Sequence, residues 1–216
     1  MLAKERKLMA LRRKLPSDGM ALNIGCGDFN YFSSIKGFKG KIINCDKDFS
    51  PVSPFIRCFG EKLPFKDNSF DHVVALDVIE HIKDDALFLK EILRVLKKRG
   101  RVFITTPCSE DDFLLIEIPK KTNWGNAEKD WGHVRRGYTR NEFRALTKNY
   151  FEISYLERFG ATFSRIGYQL YYLRHWYKFW RYIPPVRWFL RIFNYLDVLF
   201  CNGKGHMIFA VLNPRK

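Results

Sequence analysis

Long hydrophobic runs are missing from this sequence: at no point do about 18 apolar residues follow one another, the length that a membrane-spanning helix needs. The first 16 residues, MLAKERKLMALRRKLP, are charged throughout and lack the apolar segment of a secretory signal. Internal repeats and low-complexity tracts are missing as well. These absences argue against a secreted or membrane-spanning protein and predict a cytoplasmic one.

Paired cysteines are also missing. The chain has five cysteines, an odd number, and no CxxC pair. They are widely spaced, and most lie within or beside apolar runs that look like strands: Cys26, Cys45, Cys58, Cys108 and Cys201. This pattern favours reduced thiols in a cytosolic protein over a disulfide framework or a zinc site.

Negative charge is scarce. The chain has 23 acidic residues against 38 Lys and Arg, which gives a formal net charge of +15 at pH 7. The excess is localised, because residues 1–14 carry six basic residues against one Glu, and residues 161–200 carry six against one Asp. We therefore expect a partner of opposite sign, either an anionic membrane surface or, with less support, a nucleic acid.

What the chain does contain is an alternation of short apolar runs, rich in β-branched and aromatic residues, with segments of helical period. This alternation predicts an α/β fold, a doubly wound sheet of seven strands joined by helices. The predicted strands are Met20–Ile24, Lys41–Cys45, Phe55–Cys58, Phe70–Leu76, Arg101–Thr106, Phe151–Leu156 and His206–Leu212. We expect a single domain over residues 1–216, with a basic N-terminal helix at 1–15 and a helical insertion at 161–200.

The clearest predicted helix lies between the fourth and fifth strands. Its apolar positions step by three or four residues along one face: Ile82, Ala86, Leu89, Leu93 and Leu96. Gly100 is predicted to end this helix.

Two glycines, Gly25 and Gly27, follow the first predicted strand in the sequence ALNIGCGDFN. Without a Cβ atom they let a ligand approach the backbone beyond the carboxyl end of the strand, where ligands bind in doubly wound sheets. Asp46, about 20 residues further on, can accept both hydroxyls of a ribose. The pattern fits a nicotinamide or an adenosyl cofactor, and a plain glycine turn is the structural alternative. Asn30 replaces the third glycine of the dinucleotide fingerprint, which counts against nicotinamide.

Two longer motifs then give a more specific signal. The segments GEKLPFKDNSFDHVVALDVIEHI, residues 60–82, and LKEILRVLKKRGRVFITTP, residues 89–107, resemble the class I S-adenosylmethionine-dependent methyltransferases, in particular the group with LPF…FD and EHI motifs. The resemblance covers roughly residues 15–158. It implies a Rossmann-like, mostly parallel sheet whose last strand is antiparallel, and S-adenosylmethionine as the cofactor.

The resemblance also implies which residues contact the cofactor. Each part of the ligand is assigned to one group: the methionine part to Gly25, Cys26 and Gly27, the ribose to Asp46 with Lys47, the adenine edge to Phe59, Gly60 and Glu61, and the sulfonium to Asp77 and Val78. Asp77 and Glu80 also have the spacing of a helix capping box, which is the structural alternative. Two positions depart from the family pattern, since Asn23 replaces an acid and Phe59 stands where an Asp often binds adenine.

Two histidines are candidates for proton transfer from an acceptor. His81 directly follows the fourth strand, and His133 lies in DWGHVRRGYT, residues 130–139, together with the predicted substrate contacts Trp131, Arg135 and Tyr138. The alternatives are a structural contact at a helix start for His81 and a loop anchor for Trp131. Because no pair of acids with metal-ligand spacing accompanies them, we predict no metal.

The insertion at residues 161–200 is unusual in composition, since 14 of its 40 residues are aromatic. Three interpretations stay open: helices that cover the sheet and roof the active site, an interfacial membrane helix rich in Trp, Tyr and Arg, and a stacking surface for single-stranded nucleic acid.

Taken together, the sequence predicts a methyltransferase that is cytoplasmic, with peripheral membrane association as a further expectation. It acts on a small molecule or on a lipid- or glycan-linked acceptor, with oxygen as the expected nucleophile. An RNA methyltransferase, and a binding module that keeps the fold without turnover, are the alternatives.

Overall fold

The computed structural model describes residues 2–27, 38–110, 132–160 and 205–215. The strands are β1 (Met20–Ile24), β2 (Lys41–Asp46), β3 (Phe55–Arg57), β4 (Phe70–Leu76), β5 (Leu96–Pro107), β6 (Phe151–Phe159) and β7 (Met207–Pro214). The helices are α1 (Leu2–Lys14), a 3₁₀ turn (Ile79–His81), α2 (Asp85–Val95) and α3 (Arg140–Thr147).

The seven strands form one sheet in the order β3-β2-β1-β4-β5-β7-β6. The pairs from β3 to β5 are parallel, whereas β7 is antiparallel to both of its neighbours. This confirms the predicted doubly wound sheet with an antiparallel last strand. Because the strand order reverses between β1 and β4, the ligand-binding crevice of such a sheet lies beyond their carboxyl ends.

The central strands of the sheet are buried on both faces. Alternate residues of β4 point to opposite sides, so that Val73 and Ala75 pack with α2 while Val74 and Leu76 pack with Leu11 of α1. Parallel strands that are covered on both faces have continuous apolar sequences, and residues 73–76 of β4, VVAL, have this pattern. The predicted N-terminal helix is therefore present and contributes to the core.

The end of α2 differs from the prediction. The helix begins after Asp84, whose side chain accepts a hydrogen bond from the Leu87 N–H (2.8 Å), and it ends at Val95. Leu96 already pairs with Phe70 in the sheet, and the register then shifts, so Gly100 lies inside β5. A Cβ atom at Gly100 would lie 2.7 Å from the Leu96 side chain, so packing in this irregular strand explains the glycine.

The predicted insertion at residues 161–200 lies outside the described residues. Within the ranges that the structure describes, no helix has both the length and the apolar character needed to cross a membrane.

Candidate active site

Two glycines set the backbone conformation at the start of the loop after β1. Gly25 and Gly27 have φ angles of 67° and 52°, the left-handed region in which a side chain is strained. The Gly25 N–H donates to the Cys45 carbonyl (2.8 Å), which ties the loop to β2. A Cβ atom at Gly25 would overlap Val78, so this glycine also allows the loop after β1 to approach the loop after β4.

Asp46 lies at the end of β2 and faces this loop. Its carboxylate accepts hydrogen bonds from the Gly27 N–H (2.9 Å) and from the Asp48 N–H (3.1 Å). An ionised carboxylate has about four acceptor positions, so two backbone bonds orient the group and leave capacity for hydroxyl donors. Among the described residues, a Cβ atom at Gly27 would meet nothing within 4 Å, so these residues leave space beside the carboxylate.

In the segment predicted to border adenine, packing explains why position 60 is a glycine. Gly60 is buried, and a Cβ atom there would lie 2.8 Å from the ring of Phe88 in α2. Phe59 is 65% exposed, so its ring is available for stacking. Lys47 is exposed and forms an ion pair with Asp48.

Asn23, which replaces an acid of the family pattern, is buried in β1. Its side-chain amide donates to the Asn44 Oδ1 (2.9 Å), and the Asn44 amide donates in turn to the Pro54 carbonyl (3.1 Å). Asn23 therefore takes part in a chain of amide hydrogen bonds that crosses from β1 to β2. A carboxylate at position 23 could not donate to Asn44.

Asp77 adopts a strained conformation at the carboxyl end of β4, with φ at 57°. Its N–H donates to the Thr105 carbonyl (3.0 Å), and its Oδ1 accepts from the Thr105 hydroxyl (2.8 Å). Its Oδ2 forms an ion pair with Lys7 of α1, whose side chain is only 9% exposed. The capping-box alternative is wrong, because Val78 is the N-cap of the 3₁₀ turn and makes no side-chain cap bond.

Glu80, His81 and His133 form a compact cluster beyond β4. One ligand atom from each side chain lies within 4.8 Å of the other two, and the imidazole rings meet edge to face with centroids 4.5 Å apart. Glu80 is 1% exposed, and burial together with the charge of Asp77 raises its pKa to about 8. The Thr106 hydroxyl donates to its Oε2 (3.2 Å).

Arg135 and Tyr138 lie beside this cluster, but their polar atoms contact other protein groups. The Arg135 guanidinium donates to the carbonyls of Ile79 and Lys83 (3.0 Å each) and to the Tyr138 Oη (2.6 Å). The Tyr138 hydroxyl donates to Asp85 (2.9 Å), and burial is the main reason that its pKa is raised. Their role as substrate contacts stays a prediction, and Trp131 lies outside the described residues.

The sequence interpretation missed two residues of this region. Lys7 was assigned to a charged helix, and nothing in its local sequence indicates that it reaches Asp77. The spacing of Glu80 from Asp77 predicted only a helix cap, and the two residues are not a pair of acids with metal-ligand spacing. A mixed set of imidazoles and a carboxylate was the signal that could have found it.

The described residues fit an adenosyl cofactor. The Gly25–Gly27 loop leaves backbone and open space accessible, and the Asp46 carboxylate beside it retains acceptor capacity for sugar hydroxyls. The sheet order and this carboxyl edge define a Rossmann-like methyltransferase fold. Residues 22–104 match the family model described as a methyltransferase domain, which supports a class I S-adenosylmethionine-dependent methyltransferase.

Relatives and solved structures agree with this assignment. An uncharacterized protein of Methanocaldococcus jannaschii is 30% identical over 118 residues, 53% of this chain and 52% of that protein. The demethylmenaquinone methyltransferase of Streptomyces griseus is 38% identical over 63 residues, 29% of this chain and 27% of that protein. A solved structure of phosphoethanolamine N-methyltransferase 2 from Haemonchus contortus, in complex with S-adenosylmethionine, matches with a TM-score of 0.64 and 18% identity, over 98% of this chain and 53% of that chain.

The chain spans about half the length of the first curated relatives that it matches, 52% and 49%. Family match, relatives and fold support S-adenosylmethionine as the cofactor of this domain.

Proposed function

We propose that this protein transfers a methyl group from S-adenosylmethionine to a hydroxyl oxygen of a small molecule, or of a lipid- or glycan-linked acceptor presented at an anionic membrane surface. The observation that carries the proposal is the pair of imidazoles, His81 and His133, whose rings lie 4.5 Å apart immediately beyond β4. Imidazole titrates near neutral pH and accepts the proton that a hydroxyl nucleophile must lose.

S-adenosylmethionine supplies a methyl group that its sulfonium already activates, so the protein mainly has to align the acceptor and exclude water. We assign the methionine part to Gly25, Cys26 and Gly27, and the ribose to Asp46, with Lys47 beside it. The adenine edge belongs to Phe59, Gly60 and Glu61, and the reacting end to Asp77 and Val78. The segment with Arg135 and Tyr138 borders the acceptor.

Two further observations support the class of acceptor. The names of the two characterised proteins compared above, a demethylmenaquinone methyltransferase and a phosphoethanolamine N-methyltransferase, specify small-molecule acceptors. The concentration of positive charge in residues 1–14 and 161–200 favours binding to an anionic surface. The neighbouring Trp, Tyr and Arg residues of the second segment suit a lipid headgroup layer.

The test is methyl transfer from radiolabelled S-adenosylmethionine to three separate pools: small hydroxyl compounds, membrane lipid extract and total RNA. We expect label in the first or second pool, and mass spectrometry to place the methyl group on oxygen. His81→Gln and His133→Gln should each lower kcat about 100-fold or more, whereas His72→Gln removes an imidazole elsewhere and should not. Label confined to RNA would identify an RNA methyltransferase instead. If S-adenosylmethionine does not bind at millimolar concentration in calorimetry, the domain is a non-catalytic module.

A further inference from the structure

The cluster of Glu80, His81 and His133 brings together two segments that are about 50 positions apart in the sequence. Glu80 and His81 belong to the 3₁₀ turn after β4, and His133 belongs to the segment before α3. Their ligand atoms all lie within 4.8 Å of one another. The described parts of the chain contain no other group of three His, Cys, Asp or Glu residues this close.

Contacts around the cluster fix the two segments against each other. The Val134 N–H donates to the Glu80 carbonyl (3.0 Å), and Arg135 donates to the carbonyls of Ile79, the first residue of the turn, and of Lys83, just after it. These bonds hold the cluster residues in place without using their side chains. The cluster is therefore preorganised, which is what a binding site requires.

The side-chain contacts match those of metal ligands. The His81 Nδ1 lies 3.2 Å from the Gly132 carbonyl, an acceptor, so Nδ1 carries the proton and the lone pair lies on Nε2. A ligating histidine normally donates its other N–H to a carbonyl in this way. The Thr106 hydroxyl similarly orients the Glu80 carboxylate (3.2 Å).

Glu80 supplies an independent reason for a cation. Its carboxylate is 1% exposed, and its described side-chain partner is a neutral hydroxyl. Lys7 forms its ion pair with Asp77. Burial of an ionised carboxylate is costly when no cation among the described residues bonds to it directly, and a divalent ion would offset that cost.

We infer that Glu80, His81 and His133 bind one divalent transition-metal ion. Two imidazoles and one carboxylate suit Zn²⁺, Mn²⁺ or Fe²⁺ better than Mg²⁺, which prefers oxygen ligands. With metal–ligand bonds of about 2.0–2.2 Å, neighbouring ligand atoms lie about 3–3.5 Å apart, so modest side-chain rotation closes the cluster around an ion. Three protein ligands leave coordination positions open for another molecule.

The open positions give the ion a role in the reaction, and this role alone rests on the proposed function. An acceptor hydroxyl that ligates the ion has a lower pKa and releases its proton to solvent. The oxygen then forms a bond to the methyl carbon while the carbon–sulfur bond breaks, and the electron pair stays on sulfur, which becomes a neutral thioether. When the ion is bound, His81 and His133 are its ligands. The ion then promotes loss of the hydroxyl proton, the role that the proposed function gives to the two imidazoles.

Metal binding is tested on tag-free, full-length protein stripped with EDTA and titrated with Co²⁺, followed by visible absorption, and with Zn²⁺ by calorimetry. We expect one ion per chain for the wild type. Glu80→Gln and His133→Gln should each weaken binding about 100-fold or more. The matched control is His72→Gln, which removes a histidine at the opposite end of β4 and should bind like the wild type. Equal Co²⁺ binding by wild type and all three variants, or no binding at millimolar Co²⁺, would overturn the site.

Folding and activity measurements distinguish a misfolded variant, failure of the metal site and failure of the proposed function. Glu80→Gln preserves the shape of the side chain, and calorimetric binding of S-adenosylmethionine identifies variants that are folded. If one of the two cluster variants does not fold, the other decides. If the ion binds but no hydroxyl acceptor is methylated, the site stands and the proposed function fails. If hydroxyl methylation proceeds unchanged in EDTA, the function stands and the role of the ion in the reaction is wrong.

Discussion

Asp46 shows how a single side chain connects two loops of the candidate site. It accepts backbone hydrogen bonds from the loop after β1 and from the loop after β2, and these bonds orient its carboxylate beside Gly27. The same carboxylate is the group expected to accept the ribose hydroxyls. Its orientation is therefore determined before any ligand binds, which lowers the entropic cost of binding.

Replacement of Asp46 by Asn tests this assignment. Asn keeps one acceptor oxygen and loses the negative charge, and a hydrogen bond to a charged group contributes about 1.5–3 kcal/mol. We expect affinity for S-adenosylmethionine to fall about 10- to 100-fold in calorimetry. Asp48→Asn, at a neighbouring exposed carboxylate, should bind like the wild type. Equal affinity of Asp46→Asn and wild type would remove Asp46 from the site.

His72 is a buried residue outside the site whose protonation state matters for stability. Its Nε2 donates to the Asp18 carbonyl (3.0 Å), and its Nδ1 is buried without a hydrogen-bond partner among the described residues. A second proton on Nδ1 would be a buried donor with no acceptor. Burial is accordingly the main cause that lowers the pKa of His72.

The sign of the pH effect follows from this lowered pKa. Below the pKa of about 6.5 that applies in the unfolded chain, the unfolded state binds a proton that the folded state does not, so the free energy of unfolding falls as pH falls. We expect the difference in unfolding free energy between wild type and His72→Gln to shrink between about pH 7.5 and about pH 5.5. Urea unfolding of both proteins measures it. A difference that stays constant with pH would show that His72 titrates alike in both states.

At the level of elements, helix α2 fixes the turn that carries the LPF motif. The Arg94 guanidinium donates to the carbonyls of Leu63 (2.8 Å) and Phe65 (2.7 Å), and the Glu91 carboxylate accepts from the Leu63 N–H (2.9 Å). Arg94 and Glu91 also pair with each other, which lowers the pKa of Glu91. The motif is thus explained by backbone contacts with α2.

Arg94→Lys tests this contact. A lysine has one nitrogen and cannot reach two carbonyls and a carboxylate with the geometry of the guanidinium. We expect the unfolding free energy to decrease by about 1–3 kcal/mol, measured by urea denaturation. Arg144→Lys, in the exposed part of α3, is the control and should change stability by less than about 0.5 kcal/mol. A similar effect of the two substitutions would mean that the contacts of Arg94 contribute little.

Helix α3 shows which local signals are reliable. Its N-cap, Thr139, forms a capping box with Glu142, the spacing that marks a helix start in the sequence. The similar spacing of Asp77 and Glu80 produces no capping box, since Asp77 is held by Thr105 and Lys7 instead. A capping spacing predicts a helix start only where tertiary contacts do not compete for the same side chains.

For the whole molecule, the distribution of charge leads to a prediction about membranes. A surface with net charge +15 is attracted to anionic lipid, and each basic residue near such a surface contributes about 1 kcal/mol. We expect the full-length protein to float with vesicles that contain anionic lipid at low salt and to remain in the soluble fraction with zwitterionic vesicles. Added salt should release it. Protein that stays unbound with anionic vesicles at low salt would contradict membrane association.

The sequence by itself determined the order of the strands along the chain and the class of the cofactor. Hydrophobic periodicity and glycine positions are local properties, which is why β1 and β4 have the predicted bounds. The limits of α2 and β5 were less accurate, because pairing of Leu96 with Phe70 decides where the helix ends.

Only the tertiary structure decided which distant side chains meet. Lys7 reaches Asp77 because α1 packs on the face of the sheet opposite α2, and His133 reaches Glu80 and His81 because the segment before α3 binds to the 3₁₀ turn. Such contacts depend on how the chain folds over distances of 50 to 70 residues, and no short sequence pattern carries that information.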